Sequence, residues 1–409
     1  MVSLPRRFGG PALIVASAAT LLAAGPAAAQ EVKIGALFGV TGPIANFVPP
    51  IIDSAQLAVD QVNEGGGILD GRQMRLVVGD TQGVAQGSVD AATKLVNVDG
   101  VTVVVGALTS GAAIAAANSV TIPSGVLQIS PTATSPEMTR LRDNDFVFRV
   151  VPSDDYQGVI LAKLVLDQGL ERIALTYANN DYGVGIADTF RAAYTAAGGI
   201  ITGDQVHEEK KNSYRSELAT LSSGDPQALV LIAYAADSGI TIIRQSLENG
   251  FFDRFVGTDG LRDNLLIEQI GADNLGDIFF TSPSSPPGTD AGARFEAAYS
   301  GAYETTDDKF FIAQTYDATM LAALAIQKAG TTDRAAVRDA LRFVANPPGV
   351  TILPGDWAKA RELLAAGQDI DYAGASGSHD FDADGDVAGV IGHFIVENGA
   401  YKEVGIVQP

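Results

Sequence analysis

The 409-residue chain has no cysteine and only three histidines. Without thiols there is no disulfide staple, no cysteine metal site and no thiol nucleophile. His207, His379 and His393 show no ligand spacing such as HExxH, and GxSxG, Walker A and GxGxxG motifs are absent as well. No base and nucleophile pair therefore offers itself, which argues against an enzyme, and no cofactor motif is present. Positive charge is also scarce: 27 Lys plus Arg stand against 48 Asp plus Glu, a formal charge of −21. Nucleic acid is excluded as a partner, because phosphate binding needs the opposite field.

Met1 to Ala29 has the pattern of an export signal. Arg6 and Arg7 form a positive start, Pro11 to Ala24 an apolar core, and Ala27-Ala28-Ala29 a small-residue cleavage site before Gln30. That segment holds two of the cationic residues and none of the acidic ones, so the mature chain would carry −23. Its apolar core is short of the ~20 residues of a spanning helix, and no later run is longer. A soluble, periplasmic protein is expected, and ~380 mature residues bury ample core without disulfides.

What is present is organised around Val101 to Val120, VTVVVGALTSGAAIAAANSV. A β-branched run makes a buried strand, Gly106 to Gly111 a tight polar loop, and the alanines a helix. Ser110 at the helix start is either an N-cap or, with Thr109, part of a small-anion site at the carboxyl end of a strand. Strands at Glu31–Phe38, Arg75–Val78 and Gly125–Ile129, with helices beginning beyond Pro49-Pro50 and at Ser88, complete a βαβ winding that predicts a mainly parallel sheet. After Pro152 the alternation begins again: a helix over Asp154–Gln168, strands at Arg172–Tyr177, Gly199–Val206, Ala228–Tyr234 and Arg254–Val256, and helices near Ile186–Ala197 and Ser238–Glu248. Ile278–Thr281, three helices between Ala291 and Arg342, and a hairpin of Val390–Glu397 with Ala400–Val407 around Asn398-Gly399 follow. The fold class is α/β, with two lobes expected: 30–150 plus 283–386, and 151–282 plus 387–409.

Four loops at strand ends carry hydroxyls or an acid: Thr109-Ser110, Thr132 to Thr134, Tyr234, and Asp259 in FVGTDG. Facing one another across a cleft, they could hold a carboxylate by amides and hydroxyls and an ammonium by Asp259. Asp259 before Gly260 is also an ordinary turn pair.

The wording and order of GPIANF, LAVDQVNEGGGI, GALTSG, ISPTATSPEMT, NDYGVG and VGTDG resemble the periplasmic Leu/Ile/Val-binding protein family, the solute receptors of branched-chain amino acid ABC transporters. The resemblance implies two Rossmann-like lobes joined by three crossovers, the type I periplasmic binding protein architecture, in a monomer that closes on a small ligand and meets a membrane ABC permease. It further implies that Ser110 and Thr134 bind the ligand's carboxylate end, Tyr234 supplies a second-lobe hydroxyl and Asp259 meets the α-amino group. Tyr182 would reach the cleft and Phe47 border the side-chain pocket. The sequence departs from the family at Asp259, shorter than the glutamate common there, at Thr109, a cysteine in some members, and at Pro49-Pro50. An insertion, roughly Ala345 to His379, precedes the third crossover. A hydrophobic amino acid is the favoured ligand; an amide, urea or an aromatic or aliphatic carboxylate are the competing ligands, and an exported hydrolase is the rival of another class.

Asp380, Asp382, Asp384 and Asp386 in DFDADGD copy the first half of a calcium loop. The acid expected at position twelve is Ile391, so a solvated Asp-Gly turn is the expectation and no metal site is assigned.

Overall fold

The computed structural model describes residues 1–5, 9, 31–303 and 309–407; nearly all of the expected export segment lies outside them. The first sheet is built from β1 (Val32–Phe38), β2 (Met74–Asp80), β3 (Val103–Gly106), β4 (Leu127–Ser130) and β5 (Val147–Arg149). Its order is β2-β1-β3-β4-β5 and every pair is parallel. Alternate side chains enter separate cores, as the pleat requires. Ile34, Ala36, Phe38, Val103 and Val105 join one core, while Leu37 and Val104 join the other with the alanine helix. Both faces are thus covered, which is why these strands read as continuous apolar runs.

The chain then builds β6 (Arg172–Ala178), β7 (Ile200–His207), β8 (Ala228–Ile232), β9 (Phe255–Gly257) and β10 (Phe279–Ser284). Here too the faces divide by alternation, with Leu229 and Leu231 in one core and Val230 and Ile232 in the other. After β10 the chain returns to the first sheet. The helix Ile312–Ala329 is apolar almost all round and packs into the first sheet's core, as such a helix must. A small sheet follows, β11 (Val350–Ile352), β12 (Ile370–Gly374) and β13 (Gly377–Ser378). Last come β14 (Val390–Glu397) and β15 (Ala400–Val407), antiparallel at the edge of the second sheet, whose order is β15-β14-β10-β9-β8-β6-β7. Asn398 and Gly399 both take positive φ, the conformation a type I′ turn demands.

Three details differ from the sequence-based expectation. The first helix begins at Val48, so Pro49 and Pro50 lie inside its first turn, where a missing N–H has no helical partner to lose. Helices at Arg215–Ser222 and Asn264–Ile270 were not expected; both are short, with few apolar positions to show a period. The insertion, for which the sequence reading offered no elements, carries the small sheet and the helix Trp357–Ala365. It is fastened by Trp357, whose indole N–H donates to Gly67 O at 3.1 Å, and by the fully buried Asp317. That carboxylate accepts from Tyr372 Oη (2.7 Å), Ala375 N (2.9 Å), Ser376 N (2.7 Å) and Ser376 Oγ (2.6 Å), with His379 Nε2 3.0 Å away.

Candidate functional site

The carboxyl ends of β3 and β4 lead into the loops holding Thr109 and Thr132 to Ser135, and those of β6, β8 and β9 into Asn180–Tyr182, Tyr234 and Asp259. Hydroxyls tie the first two loops together: Ser130 Oγ donates to Ala107 O at 2.7 Å and Thr132 Oγ1 to Leu108 O. Two helices open at the same place, each with a side-chain N-cap. Ser153 accepts from Asp155 N and Asn180 from Gly183 N. The loops of the two sheets meet where Ser135 Oγ donates to Asp181 O at 2.9 Å.

Between them lies a cavity bordered by Thr109, Thr132, Thr134, Tyr182, Tyr234 and Asp259 on its polar side, and by Ile44, Phe47, Leu108 and Phe311 on its apolar side. The space left is about 20 Å³, room for roughly one water. Five of the six residues singled out from the sequence therefore share this cavity. Ser110 does not border it; its hydroxyl accepts from Ser135 N at 3.2 Å and holds the neighbouring loop. Nor is it the N-cap, since the helix begins at Ser110 and Thr109 occupies the cap position without a side-chain cap bond. Phe311, not singled out, has a left-handed backbone (φ 57°) at the start of the long helix, an outlier for a bulky residue and of the kind found at binding sites.

Asp259 is held by its neighbours. Its Oδ1 accepts from Gln157 Nε2 at 2.8 Å and from Tyr182 Oη at 3.1 Å. Tyr182 Oη is in turn 2.6 Å from Thr258 Oγ1, accepts from Gly260 N, and its ring stacks on Tyr234 with centroids 5.2 Å apart. Burial raises the Asp259 pKa, and the bonds from Gln157 and Tyr182 only partly oppose it. Burial, and then the charge of Asp259, push the phenols of Tyr182 and Tyr234 well up, so both stay protonated donors.

The sequence reading missed Asp154. It is fully buried at the first turn of its helix, one turn before Gln157 on the same face. Neither of its carboxylate oxygens makes a well-formed hydrogen bond, and the same holds for the buried Gln157 Oε1 and Thr134 Oγ1; the Thr134 hydroxyl is only near enough to favour the ionised Asp154. Burial, and next the charge of Asp259, raise its pKa well above the usual carboxylate range; the Thr134 hydroxyl and Arg149 oppose this. No lysine or arginine borders the cavity. Buried acceptors without donors are costly, so this arrangement favours a small molecule with a cationic, donor-rich end and an apolar body. The signal was present: counting back from Leu161 through Gly158 and Gln157 puts Asp154 on the buried face. First-turn acids are commonly exposed dipole partners, and that habit hid it.

The model of a family described as periplasmic binding protein matches residues 31–368. The chain belongs to the periplasmic binding protein family. It is 33% identical over 333 residues to the Leu/Ile/Val-binding protein BraC3 of Rhizobium johnstonii, covering 80% of this chain and 88% of that one. Among solved structures, the leucine binding protein LivK of Thermotoga maritima superposes with a TM-score of 0.78 at 25% identity, over 92% of this chain and 99% of that one. LivJ of Streptococcus pneumoniae, a branched-chain amino acid transporter substrate binding protein in complex with isoleucine, gives 0.77 at 27%, over 93% and 100%. The fold is that of the type I periplasmic binding proteins. Members of this family are extracytoplasmic solute receptors of ABC transporters, not enzymes; they bind small ligands and work with membrane permeases. Among the described residues no helix is long and apolar enough to cross a membrane, and no group of three or more His, Asp or Glu is arranged to hold a metal.

Proposed function

We propose that this periplasmic binding protein receives a small hydrophobic amino acid of the branched-chain class and delivers it to a membrane ABC permease. The observation that carries the reading is the buried Asp154 carboxylate, which makes no well-formed hydrogen bond and lies beside Asp259. The ligand ammonium lies between Asp154 and Asp259, with Gln157 Oε1 as a further acceptor. Its carboxylate end meets Thr109 and the Thr134 loop, with Tyr182 and Tyr234 as second-lobe partners. Ile44, Phe47, Leu108 and Phe311 wrap its side chain. Lobes of 30–150 plus 283–386 and of 151–282 plus 387–409 part to admit the ligand, because the closed cavity is far below the ~300 Å³ usual for a ligand site. The working protein is a periplasmic monomer after removal of the export segment.

Calorimetric titration with leucine, valine, 4-methylpentanoate and benzoate tests this. Leucine and valine should bind; 4-methylpentanoate, which keeps leucine's chain and carboxylate but lacks the ammonium, should not. Tight binding of either ammonium-free acid, with leucine and valine inert, would show that the amino-acid reading is wrong and favour the aromatic or aliphatic carboxylate.

A further inference from the structure

The acidic motif DFDADGD plays no part in the site described so far, yet the fold brings it against the strand that feeds that site. Within the motif, Asp382 Oδ1 accepts from Asp384 N and Asp386 N at 2.9 and 3.0 Å. Arg149 N of β5 donates to Gly385 O at 3.1 Å, so the loop lies along the strand. The approach is close enough that a Cβ on Gly385 would meet Val147 O at 2.6 Å. Asp386 then meets Arg149, which is 1% exposed.

All five N–H groups of that guanidinium are engaged. Nε donates to Asp386 Oδ1 at 2.7 Å, and Nη2 to Asp386 Oδ2 and Thr139 Oγ1, both at 2.6 Å. Nη1 donates to Thr134 O and Ser135 O, both at 2.8 Å. Thr134 O also accepts from Asp154 N at 2.8 Å. The peptide that carries Thr134 is therefore set between the Arg149 fork and the start of the Asp154 helix. A planar, five-donor fork can hold two carbonyls and a carboxylate at once; a lysine ammonium cannot.

We infer that Asp386 is a positioning residue for ligand binding: by neutralising and orienting Arg149 it fixes the Thr134–Ser135 loop against Asp154, and the motif is a strut beneath the site. Its link to affinity rests on the reading of Thr134 and Asp154 as ligand-binding residues. Without Asp386 the guanidinium is a buried charge lacking its anion, and it turns away from the loop.

The test compares Asp386→Asn with Asp317→Asn, which damages a more deeply buried carboxylate of the same lobe that does not touch the loop. Hydrogen exchange of the ligand-free proteins over residues 132–139, melting temperature and calorimetric leucine affinity are measured for each. Asp386→Asn should speed exchange at 132–135 and weaken leucine roughly tenfold or more, the range in which loss of a supporting partner costs a metal site ~10 to 100-fold. Asp317→Asn should lower the melting temperature at least as far while leaving loop exchange and affinity as in the wild type. Asp386→Glu, which keeps the carboxylate, should recover part of the loss, whereas Arg149→Lys should behave like Asp386→Asn. Unchanged loop exchange in Asp386→Asn and Arg149→Lys, or an equal affinity loss in Asp317→Asn, overturns the strut. Failure of the wild type to bind leucine instead sinks the amino-acid reading and leaves the strut to be decided by the exchange data alone.

Discussion

Two aspartates, Asp317 and Asp154, are both fully buried, and their surroundings are opposite. Asp317 receives four hydrogen bonds from β12 and the turn that follows it. Asp154 receives no well-formed hydrogen bond, has only the Thr134 hydroxyl nearby, and has a second acid, Asp259, for a neighbour. A satisfied buried carboxylate ties structure together, whereas an unsatisfied one is destabilising on its own and is complete only with a donor from outside. The contrast separates scaffold from site within one molecule.

The strongest break of the comparison is expected at the satisfied acid. Asp317→Ala leaves Tyr372 Oη and two backbone amides without their acceptor, and stability should fall by about 3–5 kcal/mol, measured by urea unfolding, with ligand affinity of the folded protein retained. A ligand defect without a stability defect would reverse the two roles.

In the cleft the expectation is inverted. Asp259→Asn and Asp154→Asn should each weaken leucine by about 2–5 kcal/mol, or ~30-fold and more, the cost of removing one partner from a desolvated charge pair. Because the folded pKa of Asp154 is raised by burial and by Asp259, the folded state binds its proton more tightly than the unfolded chain. This contribution to stability is fully present below about pH 4 and is lost as the pH rises through the folded pKa. Asp154→Asn should accordingly flatten the pH dependence on that side and keep or raise the melting temperature at pH 7. A melting temperature that drops instead would place Asp154 with Asp317.

His207 offers a neutral counterpart. It is buried between Thr176 Oγ1, 2.8 Å from Nδ1, and Ser238 Oγ, 2.9 Å from Nε2, and burial lowers its pKa to about 4. Its contribution is present above pH ~6.5, the ordinary histidine value, and is lost as the pH falls through 4. The loss amounts to as much as ~3 kcal/mol. Unfolding curves from pH 7 to pH 4 should show a loss that His207→Gln diminishes. The smallest effect belongs to the exposed Asp380: Asp380→Ala should change stability by less than ~0.5 kcal/mol, equally with and without calcium. A calcium-dependent melting shift that the substitution abolishes would restore a cation role to the motif.

The sequence carried most of the scaffold. Runs such as VTVVV and ALVLI are apolar on both faces because both faces of a parallel sheet are covered, and Asn398-Gly399 set the last hairpin to its exact bounds because few residues accept two successive positive φ angles. Strand-end loops pointed to Thr134, Tyr234 and Asp259, since parallel strands deliver their carboxyl ends to one edge. Ser110 and the Asp380–Asp386 motif read less truly. A hydroxyl at a helix start is the same letter whether it caps, binds or holds a neighbouring loop, and Asp386 differs from Asp384 only in lying beside Arg149, 237 residues away.

What the sequence determined by itself was periodicity, turn chemistry and therefore the α/β winding, all of which act over a few neighbouring residues. Tertiary structure alone decided which acid is satisfied and which is not: the partners of Asp317, Asp154 and Asp386 come from distant segments, and a buried charge takes its meaning from the donors that surround it in space.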